Sequence, residues 1–180
     1  MEQQNKKRKK KKKQKWIWIL VILLAMGLGT LLAIVTTKQK SDQFAPKVDS
    51  VAEQMEDTGE KMSAPDGGGA VSLTYSTLVI VSTEEQTAEI IFENPSRSTK
   101  DAALQLFLKG EKEGQEKLLA ESELIPAGYK LSEMKLKDHL NLNSGNYEGV
   151  MVVSYYDPES GEKEVVDTNI PVSVTVNNGY

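Results

Sequence analysis

The spacing of apolar residues changes along the chain, and its first pattern is an unbroken apolar run. Residues 16–35 form twenty consecutive positions without a charged side chain. A helix of that length would be about 30 Å long, which matches the hydrocarbon core of a bilayer. A buried helix of a soluble domain would show a polar face, and this run has none. The pattern predicts a transmembrane helix at residues 16–36.

Beyond residue 70 the apolar period becomes two, which is typical of β-strands that bury one face. Turn sequences rich in Asn, Pro and Gly separate the alternating segments. Seven or eight short strands with no amphipathic helix between them predict an all-β sandwich over residues 70–178. Pro171 within the last segment favours an edge position or a bulge. The expected strands lie at 71–75, 78–81, 88–93, 104–108, 118–120, 131–136, 148–156 and 164–176.

A short motif precedes the strongest alternating segment. Leu142, Gly145 and Tyr147 follow the form L-x-x-G-x-Y. The motif resembles the tyrosine corner of Greek-key sandwiches, in which a Tyr hydroxyl bonds to the backbone a few residues upstream. The glycine would allow a tight bend, and the leucine would pack beneath it.

This corner and the strand rhythm resemble immunoglobulin-like and fibronectin type III-like domains of bacterial surfaces, over residues 70–178. The resemblance implies a Greek-key immunoglobulin-like β-sandwich. The Cys…Trp…Cys core of antibody domains is absent, because both tryptophans lie in the apolar run and the chain has no cysteine. The order of basic tail, span, acidic linker and sandwich also resembles small, uncharacterised single-pass envelope proteins of Gram-positive bacteria. That resemblance implies an extracytoplasmic domain and supplies no activity.

Residues 37–69 read as an acidic, Gly-rich flexible linker between the span and the sandwich. The segment contains Pro46 and Pro65 and ends in three glycines. Apolar residues recur at helical spacing within it, which leaves open a short amphipathic helix, although a transient helix without a partner is favoured. These apolar residues are Val48, Val51, Ala52 and Met55.

Charge around the apolar run indicates its orientation. Nine basic residues precede it, whereas only Lys38 and Lys40 follow closely, so the positive-inside rule places residues 1–15 in the cytoplasm as a basic tail. Trp16 and Trp18 lie at the inner end, where indole rings favour the headgroup layer. Each cation would add about 1 kcal/mol of attraction to anionic lipid. The basic residues are Lys6, Lys7, Arg8, Lys9, Lys10, Lys11, Lys12, Lys13 and Lys15.

Other interpretations of this N-terminal region are less favoured. A nuclear signal or nucleic-acid patch would not abut a hydrophobic span, and the basic run has no aromatic residue for base stacking. A cleaved signal peptide would have a shorter apolar region and a small-x-small cleavage site. The sequence therefore predicts an uncleaved signal anchor in the cell membrane, with the C-terminal domain extracytoplasmic.

Small residues recur every four positions within the predicted span, at Ala25, Gly29 and Ala33. This spacing allows two helices to pack closely, which suggests a homodimer through the transmembrane helix. Small residues are also common in spans that do not associate, and that interpretation remains the favoured alternative.

Composition excludes several kinds of chemistry. From Ser41 to Tyr180 the chain carries 11 basic and 25 acidic residues, a net charge of −14, so this part should repel nucleic acid and anionic lipid. With no cysteine, disulfides, thiol catalysis and Cys-based metal sites are excluded.

Asp138 and the single histidine, His139, adjoin, but no activated serine is evident. The acidic turn at 157–162 lacks the ligand spacing of a calcium loop and favours a solvated hairpin tip.

The sequence thus predicts no catalytic, cofactor-binding or metal-binding residues. It favours a non-catalytic binding or structural module of the cell envelope, with a protein or wall component as partner of the sandwich. An accessory subunit of a membrane secretion, conjugation or transport assembly shares the same sequence features and stays open. A hydrolase acting on cell-wall polymers is a weaker alternative, because no nucleophile or metal motif is present.

Overall fold

The computed structural model describes residues 43–56, 59–110, 116–137, 140 and 142–178. The chain divides into two compact units, Met1–Gln43 and Phe44–Tyr180, and the described residues after Gln43 belong to the second. The predicted basic tail (1–15), the predicted span (16–36) and its small residues Ala25, Gly29 and Ala33 lie outside the described residues. Within the part that is described, no helix has the length and apolar character needed to cross a membrane.

The regular structure of the described residues is entirely β, which confirms the predicted fold class. The predicted strands are present, and an additional short strand lies within the predicted linker. The strands are β1 (Glu53–Gln54), β2 (Thr74–Tyr75), β3 (Leu78–Ser82), β4 (Thr87–Asn94), β5 (Asp101–Lys109), β6 (Glu116–Glu121), β7 (Tyr129–Lys135), β8 (Gly145–Tyr156) and β9 (Thr168–Asn177).

The strands form one curled sheet, and side chains from both halves of its strand order pack into one core, so that the halves face each other as two layers. The order is β1-β7-β4-β3-β9-β8-β5-β6, and β2 also pairs with β4. Strand β3 is antiparallel to β4 and parallel to β9, so it joins the two layers. One layer contains β1, β7, β4 and β2, and the other contains β9, β8, β5 and β6. This is the Greek-key arrangement of an immunoglobulin-like sandwich, as the sequence predicts.

Alternation along the strands builds the core between the layers. Phe92 of β4, Leu104 and Leu106 of β5, and Val153 of β8 are fully buried. Their neighbours in sequence project to the other side of the sheet because successive side chains of a strand point to opposite faces. Burial of such side chains contributes about 1.5–3 kcal/mol each and is the main stabilising term of a domain without disulfides.

The predicted flexible linker differs from the structure, since its described residues contact the sandwich. Backbone amides and carbonyls in this segment pair with loops and strand edges, which satisfies polar groups that would otherwise need water. Of the apolar residues at helical spacing, Val48 forms an isolated bridge with Leu124 and Val51 lies in a turn, while Ala52 and Met55 flank β1, so no helix is formed. The backbone hydrogen bonds of this attachment include Ala45 N to Gly161 O (2.7 Å), Leu124 N to Lys47 O (2.8 Å), Asp49 N to Leu124 O (2.8 Å), Met55 N to Gly128 O (2.8 Å) and Met62 N to Arg97 O (2.8 Å).

The corner motif lies where the chain enters β8. The hydroxyl of Tyr147 donates to the carbonyl of Asn143 at 2.9 Å, and Leu142 packs against the core. Pro171 pairs with Val150 of β8, whereas the β3–β9 pairing begins only at Ser173. Its missing N–H therefore falls at an open edge, one of the two positions expected for it.

Candidate binding surface

The outer face of β3 and β4 presents large apolar side chains to solvent. Val79 and Val81 of β3 point into the core, so the alternation directs Leu78 and Ile80 outward. Leu78 is 68 %, Ile80 44 % and Ile91 57 % exposed. Contiguous exposed apolar side chains on adjacent strands are typical of interaction surfaces, whereas isolated ones are common everywhere.

A β-bulge shapes the surface where β4 meets β7. Between Glu89 and Phe92 the register shifts, so that two residues of β4 face Ser132 alone. Bulges locally increase twist and interrupt the hydrogen-bond ladder. The carbonyl of Ile91 instead accepts a hydrogen bond from the amide of Ser76 at 2.9 Å, which brings the residues before β3 alongside β4.

Together these strands border a shallow groove of about 560 Å³. We call it the sheet-face groove. Its lining is aliphatic, serine and glutamate, a composition suited to an apolar side chain with a polar end. The groove is lined by Ser76, Leu78, Ile80, Glu89, Ile90, Ile91, Ser132 and Glu133.

Two carboxylates flank the apolar part of the groove. Glu89 of β4 and Glu133 of β7 are direct partners in the antiparallel register, and both are exposed. Like charges placed directly opposite across two strands are destabilising. In the part of the chain that the structure describes, neither carboxylate has a Lys or Arg nitrogen within 4.0 Å, and Lys130 of the same strand pairs with Glu53 at 3.2 Å.

A second pair of acids lies in the loop between β8 and β9 and contacts Lys100 of the loop between β4 and β5; we call this region the loop end. Lys100 is buried, and its Nζ lies 2.9 Å from Asp157 Oδ2 and 2.5 Å from Glu164 Oε1. A Cβ added at Gly69 would approach the Lys100 side chain to 2.8 Å, so this glycine permits close packing over the aliphatic stem. Asp157 and Glu164 thus share one cation, the Lys100 ammonium, which belongs to the same chain.

The electrostatics of the loop end follow from these bonds. The backbone N–H of Ser160 and the Lys100 ammonium hold the pKa of Asp157 well below its ordinary value. Hydrogen bonds to Glu164 and Asp157 raise the pKa of Lys100. Asp157 Oδ1 also accepts from the amides of Glu159 and Ser160. The ionised cluster thus fixes the conformation of the loop.

The loop end also exposes two valines beyond the ion pairs. Val165 is 100 % and Val166 70 % exposed, and a hydrogen bond from the amide of Glu164 to the carbonyl of Tyr155 precedes them at 2.8 Å. Neither valine lines the sheet-face groove. They form a second exposed apolar surface of the described residues, separate from the sheet-face groove.

The candidate residues from the sequence are distributed differently. Asp138 and His139 lie outside the described residues. Asp157 of the acidic turn bonds to Lys100, and within the described ranges no three His, Cys, Asp or Glu side chains are grouped as metal ligands. The corner residues Leu142, Gly145 and Tyr147 lie at or before β8, in the layer that does not carry the groove.

Sequence reasoning missed the groove. A usable signal was present at Leu78–Val81, where four successive apolar residues leave no polar outer face, and in the Ile90–Ile91 doublet. The acidic pair had no signal, because Glu89 and Glu133 are 44 residues apart and meet only through the strand register. The burial of Lys100 also had no signal in the sequence. A lysine is seldom buried without a partner, and its partners Asp157 and Glu164 are distant along the chain.

Comparison with known proteins gives little beyond this geometry. No family model matches the chain, and no curated protein matches it. The chain is similar to one in the crystal structure of the CsuC–CsuE chaperone–tip adhesion subunit pre-assembly complex from archaic chaperone-usher Csu pili of Acinetobacter baumannii. The identity is 13 %, the TM-score is 0.35, and the match covers 61 % of this chain and 57 % of that chain.

Proposed function

We propose that this protein is a non-catalytic binding module of the cell envelope that contacts a protein partner through the sheet-face groove. A single transmembrane helix anchors it, with the basic tail in the cytoplasm and the sandwich outside. The observation that carries the proposal is the exposure of Leu78, Ile80 and Ile91 on neighbouring strands beside a groove.

The chemistry of the groove supports a protein partner over a wall polymer. Branched aliphatic side chains offer no hydrogen-bond donors or acceptors for sugar hydroxyls, whereas they release water favourably when a protein side chain covers them. Contact through an apolar centre with a polar rim is the usual anatomy of a protein interface. Glu89, Glu133, Ser76 and Ser132 provide such a rim.

The location is supported by the segregation of charge along the sequence. Nine cations precede the apolar run, and the part from Ser41 onward has a net charge of −14. Positive residues stay on the cytoplasmic side of a span, which favours export of the acidic part. An acidic domain is repelled by anionic lipid, and its surface thus stays available to partners.

Photo-crosslinking in the cells that make the protein tests the groove. A photoreactive amino acid replaces Ser132 in the full chain, and the crosslinked partner is quantified in three backgrounds: the natural sequence, Ile80→Ser with Ile91→Ser, and Val165→Ser with Val166→Ser. We expect one protein adduct that falls by about tenfold or more in the isoleucine variant, because interface hot spots depend on buried apolar anchors. The valine variant is the matched control and should retain the adduct.

Two outcomes would overturn this proposal. One is the absence of any protein adduct at Ser132. The other is loss of the adduct in the valine variant with retention in the isoleucine variant, which would move the contact to the loop end.

Topology is tested separately, using the absence of cysteine from the chain. A single cysteine is introduced at Gln3 or at Glu159, and intact cells are treated with a membrane-impermeant maleimide. We expect Glu159→Cys to be labelled in intact cells and Gln3→Cys only after lysis. The reverse pattern would contradict the proposed orientation.

A further inference from the structure

We infer that the partner segment in the sheet-face groove is cationic, with Lys or Arg side chains beside apolar ones. This inference rests on the proposed function and names the chemistry of its partner. The observation behind it is the pair of carboxylates that the β4–β7 register places opposite each other at the groove.

The register defines the geometry of this pair. Glu89 and Glu133 are directly opposed in antiparallel strands, an arrangement in which Cβ atoms are about 4.5–5.5 Å apart. The next cation along β7 on the same face, Lys135, is opposite Thr87 and forms no ion pair with either carboxylate among the described residues. Among the described residues, these two neighbouring carboxylates therefore have no Lys or Arg nitrogen within 4.0 Å.

The shape of the groove matches a long basic side chain. Lys and Arg carry an apolar stem and a charged head, and they commonly lay the stem on apolar surface while the head contacts polar groups. Here Leu78, Ile80 and Ile91 would contact the stem, and the head would reach both carboxylates. An Arg guanidinium would in addition donate two parallel hydrogen bonds to one carboxylate.

Charge argues against two other occupants. A second copy of the sandwich would bring a further acidic surface, since the part from Ser41 onward has a net charge of −14. Anionic lipid would meet the same repulsion. Complementary charge across an interface accelerates association and selects among partners, so a basic protein segment is the occupant that this surface fits.

Peptide binding tests the inference on the full chain in neutral detergent. Three fluorescent probes are compared by anisotropy: GKVRVKG, the polar cationic peptide GKSRSKG and the acidic peptide GEVEVEG. We expect GKVRVKG to bind about tenfold more tightly than either other peptide, because it alone satisfies both the apolar and the charged parts of the groove.

Matched charge variants assign the binding to the groove. Glu133→Lys should weaken GKVRVKG binding by about tenfold, whereas Glu116→Lys on β6, with the same change in net charge, should alter it by less than about twofold. Equal effects of the two variants, equal binding of GKSRSKG, or no binding of GKVRVKG would overturn the inference.

The crosslinking experiment separates failure of this inference from failure of the proposed function. A partner segment captured at Ser132 that contains no Lys or Arg near the adduct would refute the cationic partner and leave the binding role intact. Absence of any adduct would refute the binding role itself.

Discussion

The loop end and the sheet-face groove both place two carboxylates side by side, and they differ in what neutralises them. At the loop end Asp157 and Glu164 share the buried ammonium of Lys100, at 2.9 and 2.5 Å. At the groove Glu89 and Glu133 face each other across the β4–β7 ladder with no cation of the described residues in ion-pair range. Among the described residues, the carboxylates are thus paired with a cation at one site and unpaired at the other.

The difference shows how burial and pairing separate structural charge from charge that is available to a partner. Lys100 lies among packed groups and completes its bonds within the chain, so its cluster holds two loops together. Glu89 and Glu133 are exposed and repel each other, which costs stability in the free protein. No Lys or Arg of the described residues forms an ion pair with either carboxylate.

The largest effect that we expect on stability comes from Lys100→Met. The substitution keeps the stem packed but leaves two carboxylates unpaired. We expect a loss of about 2 kcal/mol in the free energy of unfolding, below the 3–5 kcal/mol of fully buried pairs because the carboxylates are partly exposed. Urea unfolding measures the change. Lys130→Met, which removes the exposed pair with Glu53, is the control and should cost less than about 0.5 kcal/mol.

Acid should weaken the loop end through the same cluster. The folded pKa of Asp157 lies below its ordinary value of 3.8, so its ionised form contributes stability above that pH. This contribution is lost as the pH falls below 3.8 towards the folded pKa. We expect Asp157→Asn to reduce the difference in urea midpoint between pH 7 and pH 3. An unchanged difference would contradict the role assigned to Asp157.

The pKa of Lys100 is raised in the folded protein, so the stability that its ion pairs contribute is lost at high pH and not at low pH. Its contribution is complete below 10.5, the ordinary pKa, and is lost as the pH rises through the folded pKa. Lys100→Met should therefore flatten the decline in stability above that pH. The same urea series at pH 9 and pH 11 provides the measurement.

A smaller loss in the free energy of unfolding is expected at the tyrosine corner before β8, which lies outside both the loop end and the sheet-face groove. Tyr147→Phe removes the hydrogen bond to the Asn143 carbonyl and leaves the ring in place. One hydrogen bond contributes about 1 kcal/mol, so the variant should fall between the Lys100 and Lys130 variants in urea unfolding. A loss larger than that of Lys100→Met would show that the corner, and not the ion cluster, is the stronger local constraint.

The smallest effect on stability should have the opposite sign. Glu133→Lys replaces the repulsion with Glu89 by an attractive cross-strand pair, and we expect a gain of about 0.5 kcal/mol. The same variant should lose crosslinking at Ser132. If stability falls instead, the two glutamates are not in conflict and the contrast between the regions fails. Glu116→Lys provides the control for the change in net charge.

Much of the fold was predictable because local patterns determine it. Alternation at Thr87–Asn94 and Gly145–Tyr156 requires one buried face, and Tyr147 follows a recognisable motif. The attachment of residues 44–56 was not predictable, because it uses backbone groups at loops and strand edges, which any sequence possesses. The apolar run Leu78–Val81 predicted a strand. It did not predict that Val79 and Val81 would face the core while Leu78 and Ile80 would face solvent.

The sequence by itself determined the all-β class, the segregation of a basic from an acidic part, and the exclusion of cysteine chemistry, since period and composition are properties of the chain. The tertiary structure alone decided which charges meet. Glu89 joins Glu133, and Lys100 joins Asp157 and Glu164, through strand register and loop packing between residues 44 to 64 positions apart. Electrostatic energy depends on distance in space, and only the folded chain sets that distance.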